Sequence, residues 1–61
     1  MRLKELRQSM GVTQQEVAMA INCSANNYAR YERGERAPDI DMLKILSKYF
    51  GVSIDYMVEN D

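Results

Sequence analysis

The 61-residue sequence lacks histidine and tryptophan and contains one cysteine, Cys23. A single cysteine excludes a disulfide within the chain, and without histidine the usual ligand set of a zinc site is incomplete. Histidine is also the commonest general acid–base in enzymes, so its absence argues against catalysis. We therefore expect no metal, no cofactor, a small buried thiol at Cys23 rather than a redox sensor, and a reducing, cytoplasmic environment.

Long hydrophobic runs are also missing, since no apolar stretch exceeds a few residues. A membrane-spanning helix needs about 20 such residues, and a secretion signal needs roughly 7 to 15. No membrane association is therefore expected. The chain length suits one small domain, which we place at residues 1–61.

The charge is unevenly distributed, although the net charge of the chain is only −1. Residues 1–36 contain six basic and four acidic side chains, a net of +2. Residues 37–61 contain two basic and five acidic side chains, a net of −3. Phosphate groups are attracted by the first part and repelled by the second, which favours an oriented complex with nucleic acid.

Capping and turn-forming residues divide the sequence into five short helices. Serine, threonine and aspartate satisfy backbone N–H groups at the start of a helix, and glycine and asparagine tolerate the left-handed backbone at its end. The predicted N-caps are Thr13, Ser24, Asp39 and Ser53, and the predicted helix ends are Gly11, Asn22, Gly34 and Gly51. Glu16 lies three residues after Thr13 and completes a capping box.

Apolar residues recur at the spacing of a helix, and no long stretch alternates with period two. The predicted fold class is therefore all-α. The residues predicted to face the core are Leu3, Leu6, Arg7 and Met10; Val17, Ala18 and Ile21; Tyr28 and Tyr31; Ile40, Leu43, Leu46, Ser47 and Phe50; and Ile54, Met57 and Val58.

Residues 13–33 have the organisation of a helix-turn-helix, in which two short helices are joined by a tight turn, here at residues 21–24. Further residues match the pattern of a known family: Leu6-Arg7, Thr13-Gln14-Gln15-Glu16-Val17-Ala18, Ser24, Tyr28, Tyr31-Glu32-Arg33-Gly34, Pro38, Leu43, Leu46, Phe50-Gly51-Val52-Ser53 and Ile54-Asp55. With these residues the chain resembles the lambda-repressor/Cro-like family, also called XRE-type, over nearly its whole length. Asn22 replaces the usual glycine. The resemblance implies a compact five-helix, lambda-repressor-like domain that binds DNA.

Four residues of the predicted recognition helix are expected to face outward: Ala25, Asn26, Asn27 and Arg30. In helix-turn-helix docking, such residues contact base edges in the major groove. Asparagine pairs with adenine, arginine pairs with guanine, and a methyl group contacts thymine. The alternative is a solvated polar face, but two adjacent asparagines are poor helix formers, which favours a functional interpretation.

The resemblance implies that Gln14 reaches a DNA phosphate and a neighbouring side chain, and that the loop after the recognition helix follows the phosphate backbone. The predicted phosphate contacts are Thr13, Gln14, Arg33 and Arg36. Glu35 lies between the two arginines and weakens this basic patch. The resemblance also implies a structural ion pair between Arg7 and Glu32.

A second apolar stripe follows the predicted fourth helix and continues in the last one. It comprises Met42, Ile45, Tyr49, Tyr56 and Val58. Either the last helix covers part of this stripe, or the stripe is a surface for self-association. Two-fold pairing would separate the recognition helices by about 34 Å and require a near-palindromic operator.

The sequence thus favours a sequence-specific regulator of transcription, a homodimeric repressor that binds double-stranded DNA. The alternative is a protein-interaction module, such as an adaptor or an antitoxin-like partner. The negative net charge and Glu35 favour that alternative, whereas Asn26, Asn27 and Arg30 favour DNA. No group of titratable residues suggests an enzyme.

Overall fold

The computed structural model describes residues 1–59, so Asn60 and Asp61, which the predicted domain and charge pattern include, lie outside the described part. Five α-helices follow one another: α1 (Leu3–Met10), α2 (Gln14–Ala20), α3 (Ala25–Arg33), α4 (Ile40–Phe50) and α5 (Ile54–Val58). No strand occurs among residues 1–59. The all-α, five-helix prediction is therefore confirmed.

The predicted caps form the starts of α2 to α5. At α2 the Thr13 hydroxyl accepts from the Glu16 N–H at 3.1 Å, and the Thr13 N–H donates to the Glu16 carboxylate at 2.9 Å. This reciprocal pair is the predicted capping box. The N-caps of the next three helices each accept a backbone N–H in the same way: Ser24, Asp39 and Ser53.

One hydrophobic core joins all five helices. Its fully buried members come from every helix, so each short helix is held by tertiary contacts rather than by its own length. The cluster consists of Leu3, Val17, Ala18, Ile21, Tyr28, Tyr31, Leu46 and Met57. Ala18 is 2% exposed, and its small side chain lets α2 and α3 approach each other.

Ile40 and Met10 are exposed although they are predicted to face the core, and Val58, which is also predicted to lie on the second apolar stripe, is exposed as well. Ile40 is 69% exposed because it is the first residue of α4 and projects beyond the core. Met10 and Val58, each at the last position of a helix, are 46% and 37% exposed. Cys23 is half-buried in the turn, and this partial burial raises the pKa of its thiol.

Arg2 connects the start of α1 to α5. Its backbone N–H donates to the Met57 carbonyl at 2.8 Å, and its Nε donates to the Tyr56 carbonyl at 3.1 Å. The guanidinium lies 4.8 Å from the centre of the Tyr56 ring and pairs with Glu5 and Glu59. These contacts hold α1 against α5.

Candidate nucleic-acid interface

The turn between α2 and α3 is fixed by backbone hydrogen bonds. Asn22 adopts the left-handed conformation, with φ of 59°, as its predicted role required. The Cys23 N–H donates to the Ala18 carbonyl at 2.9 Å, and Ser24 then caps α3. Residues 14–33 therefore form a helix-turn-helix whose two helices pack against each other.

The exposed side of α3 carries three of the four predicted base-contacting residues. Ala25, Asn26 and Arg30 are exposed to solvent. Asn27 is half-buried, and its side-chain amide donates to the Tyr31 hydroxyl at 3.3 Å. Asn27 is therefore less exposed than the other three predicted base-contacting residues, because the residue one turn later holds its amide against the helix surface. The i, i+4 spacing of Asn27 and Tyr31 is the signal that could have predicted this contact.

A buried polar network positions Gln14. The Arg7 Nε donates to the Glu32 carboxylate at 2.6 Å, and the Gln14 amide donates to the same carboxylate at 3.0 Å. A second Arg7 nitrogen donates to the Val12 carbonyl at 2.9 Å. The Arg7 and Glu32 side chains are only 14% and 3% exposed. One carboxylate of α3 thus ties α1 and the first residue of α2 to the recognition helix.

Glu32 remains ionised in this environment. Burial opposes its ionisation, but hydrogen bonds from Arg7 and Gln14 outweigh burial and hold the Glu32 pKa below its ordinary value. The hydrogen bond to Glu32 likewise raises the pKa of Arg7. The buried Tyr28 hydroxyl has no hydrogen-bond partner within residues 1–59, and burial together with the nearby Glu32 carboxylate raises its pKa strongly.

The arginines in the last turn of α3 and in the loop after it differ in their partners. The Arg33 Nε donates to the Glu35 carboxylate at 2.7 Å, and the other carboxylate oxygen accepts from Arg33 Nη2 at 3.3 Å. The same carboxylate lies 3.9 Å from the Arg30 Nε. Arg36 is exposed and forms no ion pair within the described residues. Thr13, the fourth predicted phosphate contact, is exposed, but its hydroxyl caps α2.

The predicted second stripe is only partly exposed. Ile45, Tyr56 and Val58 are 43%, 45% and 37% exposed. Met42 and Tyr49 are half-buried and pack against the core. Beside the stripe, an open groove of about 370 Å³ between α4 and α5 is lined by Lys44, Ile45, Ser47, Lys48 and Ile54. Part of the stripe is therefore packed against the core, and the rest of it is exposed.

No helix within residues 1–59 combines the length and apolar character that crossing a bilayer requires. The arrangement instead consists of two packed helices, a rigid turn and a solvent-exposed polar face on the second helix. These features define the chain as a helix-turn-helix DNA-binding domain. The chain belongs to the XRE-type helix-turn-helix family of transcriptional regulators, which it matches over residues 3–57. The role that this family membership gives the domain is DNA binding, which is not an enzymatic activity.

Curated relatives support this assignment. The chain is 48% identical to the HTH-type transcriptional regulator ImmR of Bacillus subtilis over 60 residues, which cover 98% of the chain and 47% of ImmR. It is 32% identical to the transcriptional repressor RstR of the cryptic phage CTXphi of Vibrio cholerae, over 97% of the chain and 53% of RstR.

The HTH-type transcriptional activator BcrR of Enterococcus faecalis is 30% identical over 98% of the chain and 29% of BcrR. The chain thus spans about half the length of ImmR and RstR, and less of BcrR. No solved structure matches the chain at a significant level.

Proposed function

We propose that this domain is a sequence-specific repressor that binds double-stranded DNA in the cytoplasm as a homodimer on a near-palindromic operator. The observation that carries the proposal is the exposed face of α3. There Ala25, Asn26 and Arg30 project from a helix that a capped turn and the buried Glu32 network anchor. A rigid helix presenting short polar side chains and one arginine suits recognition in the major groove.

In the proposed complex each side chain of this face has a separate role. Arg30 donates two hydrogen bonds to guanine, and Asn26 donates to and accepts from adenine. Ala25 offers only a methyl group, which suits the thymine methyl. Asn27, restrained by Tyr31, contributes its remaining hydrogen-bonding capacity at the same edge.

Phosphate contacts flank this face. Gln14 is held by Glu32 at the first position of α2, and Thr13 precedes it. Arg33 is the last residue of α3 and Arg36 follows in the loop, and both approach the DNA backbone through charge. Such contacts set the position of the protein on DNA and contribute affinity without selecting a sequence.

The homodimer is proposed to form through Ile45, Tyr56 and Val58, with Met42 and Tyr49 at its margin. In this proposal repression follows when the dimer occupies an operator, and the relative RstR is by name a transcriptional repressor. The exposed apolar surface also fits a second candidate function, in which the domain is an adaptor that binds another protein.

The proposal is tested by selection of binding sites from randomised duplex DNA, with wild type and Arg30→Ala compared on the selected sites. We expect a palindromic consensus, an affinity that falls steeply with salt, and relaxed preference at one base position in Arg30→Ala. That variant should lose about 1–3 kcal/mol of discrimination at this position.

Lys4→Ala is the matched control, because it removes an exposed positive charge from α1 outside the helix-turn-helix. This variant should keep the consensus of the wild type. If no sequence is enriched while the chain still forms dimers or captures one defined protein, the adaptor function replaces the repressor.

A further inference from the structure

Glu35 forms a short, exposed ion pair at the end of the recognition helix. Its carboxylate accepts two hydrogen bonds from Arg33, at 2.7 and 3.3 Å, and lies 3.9 Å from Arg30. One acidic side chain therefore faces both a proposed phosphate contact and the proposed guanine contact. Within the described residues, neither arginine has another ion-pair partner.

The backbone fixes Glu35 in this position. Gly34 ends α3 in the left-handed conformation, with φ of 75°, and reverses the chain direction. The Glu35 N–H then donates to the Arg30 carbonyl at 2.9 Å. This hydrogen bond belongs to the helix cap, so the Glu35 side chain is returned to the last turn of α3 rather than into open solvent.

We propose that Glu35 is a specificity determinant that competes with DNA phosphates for Arg33 and Arg30. The inference rests on the proposed function, since it concerns how the same face distinguishes an operator from other DNA. A phosphate that approaches Arg33 must displace the carboxylate, and Glu35 itself repels the phosphate. Hydrogen bonds to Arg33 lower the pKa of Glu35, so its negative charge persists at neutral pH.

The competition weakens non-specific binding more than operator binding. On random DNA both arginines can only bind phosphates, and non-specific affinity consists almost entirely of such contacts. On the operator Arg30 is engaged by a base edge, which compensates for loss of its contact with Glu35. Removal of the carboxylate therefore adds two phosphate contacts on random DNA and one on the operator.

The test compares wild type, Glu35→Gln and Glu5→Gln on the selected operator and on a random duplex of equal length, across a salt titration. Glu5 is a matched control because it is an exposed glutamate paired with an arginine, Arg2, on α1. For Glu35→Gln we expect about five- to tenfold tighter binding to random DNA at low salt. On random DNA, the slope of log affinity against log salt concentration should become steeper by about one to two. Operator binding should tighten by less than about threefold, and Glu5→Gln should resemble the wild type.

A second background tests the pairing itself. In the Arg33→Gln background, only Arg30 remains as a partner of Glu35. There the substitution Glu35→Gln should change log Kd for random DNA by at most half of the change that it causes in the wild type. Equal tightening on operator and random DNA, or none beyond that of Glu5→Gln, would overturn the inference while leaving a sequence-selecting wild type intact. If the wild type selects no sequence, the proposed function fails, and the inference fails with it.

Discussion

The DNA-facing end of α3 and the surface of α4 and α5 differ in what holds their exposed side chains. At α3, the Glu32 carboxylate binds Arg7 and Gln14 and ties the helix to α1 and α2, and Glu35 pairs with the arginines at the surface. At α4 and α5, apolar side chains such as Ile45 lie open beside a groove. The first region is thus suited to recognising the hydrogen-bond patterns of base edges, and the second is suited to burying apolar surface against a partner. Substitutions made in each region separately test this difference.

The largest expected effect comes from the buried pair beneath α3. Loss of one partner of a buried ion pair lowers the free energy of unfolding by about 3–5 kcal/mol. Because Arg7 is partly exposed, we expect Glu32→Gln to lower it by about 2–4 kcal/mol. Folded domains have roughly 0.05–0.15 kcal/mol of stability per residue, so this loss is a large share of the total for so short a chain. Urea unfolding followed by circular dichroism measures it.

The same pair predicts acid sensitivity. The pKa of Glu32 is lower in the folded state, so the unfolded state binds its proton at higher pH, and stability falls as the pH drops below the ordinary value of 4.5. In Glu32→Gln this part of the acid dependence should disappear. Glu5→Gln, which breaks an exposed pair, should cost under about 1 kcal/mol. Equal losses in the two variants would contradict the role assigned to the network.

An intermediate effect is expected at α4. Ile45→Lys places a charge within the proposed dimer surface and should weaken self-association about tenfold or more in analytical ultracentrifugation. Ile40→Lys provides a matched control, because Ile40 is an exposed isoleucine of the same helix outside the stripe. A monomeric wild type at micromolar concentration, or equal association in both variants, would remove the dimer from the proposed function.

The smallest effect at neutral pH is expected for Tyr28→Phe. The buried hydroxyl has no hydrogen-bond partner among the described residues, so its removal should change stability by less than about 1 kcal/mol. The difference should grow above pH 10. The folded state keeps Tyr28 neutral while the unfolded chain ionises, so wild type loses stability that the variant retains.

Thermal unfolding from pH 7 to 11 measures this difference, with Tyr56→Phe as the exposed control. Parallel alkaline losses in wild type and Tyr28→Phe would show that the environment of Tyr28 does not control its ionisation.

The limits of the helices followed from the sequence because they depend on interactions within about four residues. Thr13 with Glu16, and Gly34 after α3, act through their own hydrogen bonding and backbone freedom, wherever the rest of the chain lies. The helix-turn-helix and its family were recognisable for the same reason, since their spacing is local. The ion pair of Arg7 with Glu32 was available only through the family resemblance.

Which side chains remain accessible depends on how the helices pack together. Ile40 and Met42 are both apolar residues of α4, but the first projects beyond the core and the second packs against it. Asn27 and Glu35 likewise acquire their partners because the helix surface and the turn after α3 place those partners within reach. The exposure of a side chain and its polar partners depend on how several helices and turns pack together. The periodicity of a single helix carries no information about that packing.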